Sequence, residues 1–169
     1  MENVLFSSTA YRTRIKDRIK IKSDWSAYEN KEPDTTQEGL ESEIKFLGNN
    51  QSLSLISHFA KSRTDTGGPN SRRPDLSYGI DYSAKFTLSE YGPFYLDLSH
   101  RYIGDHVDWT GSKNEFVKSV DLLDISIRKN WFGNTISLNF TNFLNERYEK
   151  PATYSQDGRM VNFGFRKTY

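Results

Sequence analysis

The chain has no cysteine, which removes disulfide staples and thiolate metal sites together. Nor has it an excess of one charge. Its 23 basic and 22 acidic residues leave a net charge of +1, so no strong field draws it to nucleic acid. No apolar run approaches the roughly 20 residues that a transmembrane helix needs, and mean hydropathy is -0.76. Histidine is scarce as well. With only His58, His100 and His106, and no Gly-x-Ser-x-Gly stretch, no nucleophile, base and orienter can be assembled, so the reading is not an enzyme. His106-x-Asp108 offers two donors, which make no metal site, and nothing calls for a cofactor. A leader of basic region, apolar core and cleavage site is also missing, since Met1 to Phe6 runs directly into a strand-like stretch.

What the chain does have is aromatics and alternation. The aromatic share is 14%, high for so hydrophilic a sequence, with ten Tyr and eleven Phe. Leu76, Tyr78, Ile80, Tyr82, Ala84, Phe86 and Leu88 occupy successive alternate positions, the mark of a strand with one apolar face. Leu40, Ile44 and Phe46 oppose Glu41, Glu43 and Lys45; Phe94, Leu96 and Leu98 oppose Tyr95, Asp97, Ser99 and Arg101. Leu53, Leu55 and Phe59, then Ile136, Leu138 and Phe140, continue the pattern. In the first stretch, from Val4 to Ile15, both Val4/Phe6 and Leu5/Tyr11 qualify as the apolar face. Val120, Leu123 and Ile127 have helical spacing, but β-branched Ile125 and Ile127, with a Gly-Asn turn at hairpin distance, favour a strand.

About eight strands result. The turns near Asn49, Ser89 and Gly133 are short, whereas the connections near Asp24, Gly67, His106 and Ala152 are long. Short turns on one rim and long loops on the other is the asymmetry of outer-membrane barrels, whose polar lumen faces also explain the low hydropathy. In the last strand Val161, Phe163, Phe165 and Tyr169 share one face, and Gly164 lies on the other with Asn162 and Arg166. Such a strand suits barrel closure, with the aromatic Tyr169 at the membrane interface. Period alone does not separate a lipid-facing surface from the core of a soluble β-sandwich or lipocalin-like barrel. A free-standing eight-stranded outer-membrane barrel with a structural or adhesion role, and a soluble β-barrel binding module, stay open on this reading.

One family is similar to these residues. Asn142-Phe143-Leu144-Asn145, then Tyr148, then Gly158-Arg159 resembles the closing segment of TonB-dependent outer-membrane receptors, where Asn-Leu-Phe-Asp and an aromatic precede a last strand that opens with Gly-Arg. Tyr28-Glu29-Asn30 followed by Gly39-Leu40-Glu41 resembles the family's Tyr-x-Asn and Gly-x-Glu region, and Arg73-Pro74 its Arg-x-Pro element. The resemblance implies an all-β fold: an antiparallel transmembrane β-barrel segment, the carboxyl-terminal part of a barrel of about 22 strands. It implies that residues 1–169 are barrel wall, that the plug domain is absent, and that the chain is the end of a longer outer-membrane protein. The implied function is TonB-energised uptake of a scarce nutrient: an iron chelate, cobalamin or a glycan. The implied partners are outer-membrane lipid, the barrel-assembly machinery, a small-molecule nutrient, and TonB only through the missing plug; nucleic acid is not among them.

Candidate ligand residues lie in the long loops: Arg72 and Arg73 for an anion, Asp105, His106 and Asp108 for polar contacts, and Trp109 for stacking. An ordinary solvated loop is the alternative. His100 follows Leu98 on the apolar face and reads as an interface residue. The basic stretch Arg12 to Lys22, interleaved with Ile15, Ile19 and Ile21, reads as a rim strand passing into an external loop.

Overall fold

The computed structural model describes residues 3–16, 18–22, 24, 26–31, 34–64, 74–88, 91–109 and 113–167. Eight long strands form one antiparallel sheet: β1 (Asn3–Ile15), β4 (Thr35–Leu47), β5 (Gln51–Thr64), β6 (Leu76–Leu88), β7 (Gly92–Ile103), β10 (Val120–Trp131), β11 (Asn134–Thr141) and β12 (Met160–Lys167), neighbours in that order. Two small hairpins rise from the long connections: β2 (Arg18–Ile21) with β3 (Tyr28–Lys31), and β8 (His106–Trp109) with β9 (Asn114–Val117). The sequence pattern missed both hairpins, because four-residue strands are too short to display a period. Val120 to Arg128 is strand, as the β-branched pair favours.

The registers explain why period 2 matters here. Directly paired residues share a face, so one apolar row crosses all eight strands: Val4, Phe46, Leu53, Tyr82, Leu98, Ile125, Phe140 and Val161. The row nearer the loops is Phe6, Ile44, Leu55, Ile80, His100 and Leu123. Nearer the turns run Ala84, Leu96, Ile127, Leu138 and Phe163. This assigns the ambiguous first strand: Val4 and Phe6 lie on the apolar face, Leu5 and Tyr11 on the other.

The apolar stretch also slides along the strands. On β4 it runs from Phe46 toward the loops, to Leu40, whereas on β12 it runs from Val161 toward the turns, to Phe165. That slide of about five residues, about 17 Å along a strand, accrues over about 29 Å of sheet, a tilt of about 30°. Strands of outer-membrane barrels tilt by roughly 35–45°. Charges bound the band on the loop side, where Arg12 pairs with Glu38 at 3.1 Å and Arg14 with Asp34 at 3.2 Å.

On the turn side the boundary is aromatic. Phe86 stacks on Phe94 with ring centroids 5.7 Å apart, and the Lys129 ammonium lies 4.9 Å from the Phe94 ring and 5.3 Å from that of Tyr91. Trp131 ends β10 and Phe132 opens the adjoining two-residue turn, where Phe132 (φ 46°) and Gly133 (φ 76°) adopt the positive angles of a type I′ hairpin. An aromatic rim with a cation among its rings suits the membrane interface.

No ladder joins β1 to β12 among the described residues, so the sheet is open at both edges. The apolar face is uncovered too: Phe6 is 69% exposed and Phe163 71%. A soluble sandwich would bury such a face in its own core.

Candidate functional site

The polar face of the sheet is a ladder of cross-strand charges. Arg128 Nη2 donates to Asp97 Oδ2 at 2.7 Å, and Ser83 donates to Asp97 Oδ1 at 2.7 Å. Arg101 pairs with Asp81 at 2.8 Å, its side chain lying across Gly79, where any Cβ would crowd the guanidinium. Within β4, Lys45 pairs with Glu43 at 2.8 Å, and Glu43 also accepts from Ser54 of β5 at 3.2 Å. Near the loops, Tyr11 lies over Gly39, bonds His58 Nε2 at 3.1 Å and accepts from Gln37 at 3.2 Å. This is the structural reason for the glycine of the Gly-x-Glu motif: only a residue without a side chain admits the tyrosine ring there. These pairs are solvent-reaching, so each adds little to stability, but together they give this face polar chemistry from β1 to β12.

Above the ladder, two long loops are tied into one body. The first leaves β7 at Gly104, whose N–H donates to the Leu76 carbonyl at 2.9 Å. Asp105 Oδ1 accepts the Ser119 N–H at 2.6 Å and closes the neck of the β8–β9 hairpin. Asp108, 1% exposed, accepts the Ala152 N–H at 2.8 Å and so pins this hairpin to the β11–β12 loop. Val117, Val120 and Ala152 are buried with it. In the outlying β2–β3 loop, the Ser26 hydroxyl and backbone N–H both reach Asp24 Oδ1, at 2.7 and 3.0 Å, and hold that carboxyl below the usual range.

The second loop is built around Asn142, which is buried and in the left-handed region at φ 50°. Its N–H donates to Asp124 Oδ1 at 2.8 Å, its Nδ2 to the Glu146 and Asp157 carbonyls at 2.8 and 3.2 Å, and its Oδ1 accepts the Glu146 N–H at 2.9 Å. Asn145, also at positive φ, accepts the Arg159 N–H at 3.0 Å. Gly158 leaves room for that amide, since a Cβ there would stand 2.8 Å from Asn145 Oδ1. Arg159 Nε donates to the Phe143 carbonyl at 2.7 Å and its guanidinium lies 5.2 Å from the Phe143 ring. The motif is thus a hydrogen-bonded clasp that fixes how the chain turns from β11 into β12. Asparagine is suited to this work because it tolerates left-handed φ and both donates and accepts.

Between the two loops and the sheet lies a pocket of about 260 Å³. Ser77, Ile103 and Val120, neighbours in one row of the polar face, form its floor with Pro74 and Val117. His106, Lys118, Tyr148, Glu149 and Lys150 ring the mouth. Of the ligand residues expected from the sequence, His106 lines this pocket, its Nδ1 3.2 Å from the Gly104 carbonyl. Asp105 and Asp108 spend carboxylate oxygens on backbone amides of the loops. Trp109 ends β8; its side chain, with Arg72, Arg73 and Tyr169, lies outside the described residues. Leu144 is exposed on the clasp; Val161, Phe163 and Phe165 lie on the apolar face of β12 and Gly164 opposite Ser137 on the polar face. Lys118, Glu149 and Lys150 carry no sequence signal of their own, because only the docking of the two loops brings them together.

A cluster built on a histidine–carboxylate pair interrupts the apolar face beside the Ser8, Ser42 and Ser57 row. His100 Nε2 lies 3.0 Å from Asp121 Oδ1, beside Tyr78 and Tyr102, whose rings stack at 5.0 Å. The cluster stands at the loop-side limit of the band.

No family model matches the sequence, and no curated protein matches it. Among solved structures the chain is similar to the ferripyoverdine receptor of the outer membrane of Pseudomonas aeruginosa, with 16% identity, a TM-score of 0.79, and 97% of this chain matched to 25% of that one. It is similar to the ferric yersiniabactin uptake receptor of Yersinia pestis (16% identity, TM-score 0.77, 95% of this chain and 26% of that one). The FrpB iron transporter of Neisseria meningitidis matches at 12% identity and a TM-score of 0.75, over 97% of this chain and 29% of that one. These proteins are TonB-dependent outer-membrane receptors. The chain has the fold of their barrel wall, and it spans about a quarter of their length.

Proposed function

We propose that this chain is the carboxyl-terminal wall of a TonB-dependent receptor barrel in the outer membrane, and that its parent takes up a scarce nutrient (an iron chelate, cobalamin or a glycan). The observation that carries the reading is the pair of faces: an uncovered apolar face bounded by an aromatic rim, backed by a charged face, on a tilted sheet with open edges. The apolar face meets lipid and the charged face lines the lumen. β12 is the strand read by the barrel-assembly machinery, and the open edges of β1 and β12 receive the remaining strands of the barrel. The loop cap forms part of the ligand vestibule, and TonB acts through a plug domain that is not in these residues. The wall itself performs no chemistry: it supplies a sealed perimeter and a polar surface for the plug.

A free-standing eight-stranded barrel would need β1 hydrogen-bonded to β12, and the open sheet gives that reading no support. The test begins with the genomic sequence immediately upstream, where a plug domain and further strands are expected. Deleting the parent gene should then abolish growth on one limiting iron chelate, cobalamin or glycan, and removing TonB should do the same. An upstream region without plug or strands, or unimpaired growth on all three classes, overturns the proposal.

A further inference from the structure

We infer that the pocket between the β8–β9 hairpin and the β11–β12 loop binds a single aromatic ring bearing an acidic group, as one anchoring point of a larger ligand; this rests on the receptor reading above. Size sets the first limit. A volume of about 260 Å³ lies below the roughly 300–1,000 Å³ of pockets that hold a whole drug-sized ligand, yet accommodates one ring system. The floor sets the second: Pro74, Ile103, Val117 and Val120 offer apolar surface, which rewards a flat hydrocarbon group and penalises a bare polar one.

Charge at the mouth sets the third. Lys118 and Lys150 both line it, and among the described residues neither ammonium pairs with a carboxylate. Glu149, the one acid among the described lining residues, turns Oε2 to the Thr153 N–H at 2.6 Å, so that oxygen is engaged by its own loop. An anion seated between the lysines would meet a net positive rim, while its ring rests on the floor against Tyr148. The site is also pre-formed. The Asp108–Ala152 bond and the Asn142 clasp hold both walls before any ligand arrives, so little ordering entropy opposes binding.

The test uses the whole parent protein that carries this wall, purified in detergent micelles, its strand content checked by circular dichroism. Fluorine NMR would follow 4-fluorobenzoate, 4-fluorobenzylamine and trifluoroacetate, which present the ring with an anion, the ring with the charge reversed, and the anion alone. Fluorobenzoate should bind at least tenfold more tightly than either control, and the double variant Lys118→Glu/Lys150→Glu should reverse the order of benzoate and benzylamine. Tyr148→Ala should weaken fluorobenzoate about threefold or more. Equal affinity of the three probes, no fluorobenzoate binding, or an affinity unmoved by the charge reversal overturns the inference. Failure of the receptor reading shows elsewhere: a parent absent from the outer-membrane fraction would sink that reading whatever fluorobenzoate does, whereas an outer-membrane parent whose folded chain ignores fluorobenzoate sinks only the pocket.

Discussion

In the strand wall, Phe6 and Phe163 leave 69% and 71% of their surface uncovered, while in the loop cap Val117 and Ala152 are only 7% and 4% exposed. The wall keeps its apolar side chains outward and its charges inward. The cap does the reverse, with small apolar residues packed around a hydrogen-bonded Asp108 and Asn142. One chain therefore follows two solvents. On the proposed membrane reading, the wall has hydrocarbon outside and water within, where a two-faced strand needs no core of its own. The cap stands in water and must satisfy its backbone internally, so it carries the few buried polar groups that resemble those of a soluble domain.

The sharpest way to break this comparison is to put the same charge on adjacent residues of β7. Leu98→Arg places a guanidinium against lipid and should cost about 2–4 kcal/mol; Ser99→Arg, facing Asp81 and Asp124 across the strands, should cost less than about 1 kcal/mol. Urea unfolding from lipid vesicles measures both, and equal costs would mean that the two faces do not meet lipid and lumen.

In the cap the largest effect belongs to the clasp. Asn142→Ala removes two donated and one accepted side-chain hydrogen bond, at about 1 kcal/mol each, for a loss of about 2–3 kcal/mol. Limited proteolysis should then cut between β11 and β12 while leaving β4 to β7 intact. Whole-chain unfolding instead would show that wall and cap are one cooperative unit.

Asp108→Ala acts more locally, leaving the Ala152 N–H buried without its acceptor, a cost of about 1–2 kcal/mol. Hydrogen exchange at Ala152 should accelerate roughly five- to thirtyfold, with strand amides of β5 and β6 unchanged. Asp108→Asn, which keeps an acceptor, should recover much of the protection.

The smallest effect is a titration in the outlying loop. Ser26 donors favour the ionised form of Asp24, so its folded pKa lies below that of an ordinary aspartate. The turn's stabilisation is present above that ordinary value and lost as pH falls through the lower folded one. The Ser26 amide resonance should hold still down to the ordinary carboxylate range and move only beneath it; movement centred above that range would mean the turn does not form.

Much of the wall was legible in the residues themselves. Leu76 to Phe86 displayed its apolar face by alternation, and the short turn at Phe132-Gly133 announced a hairpin. The Asn142 to Arg159 pattern pointed to a receptor barrel before any register was known. The eight long strands and the split between short turns and long loops follow from such local signals, because side-chain alternation and turn chemistry are properties of neighbouring residues. The cap was not legible in this way. That Asp108 is a buried staple rather than a free loop carboxylate depends on Ala152, far along the chain. The pocket exists only where Val120, His106 and Lys150 are brought together by the docking of two loops. Sequence by itself determined the two-faced strands and their order, since period 2 and tight turns are written locally. Only the tertiary structure decided the register, the slide of the apolar band, the open edges and the pocket, because each depends on pairings between distant segments that no local pattern encodes.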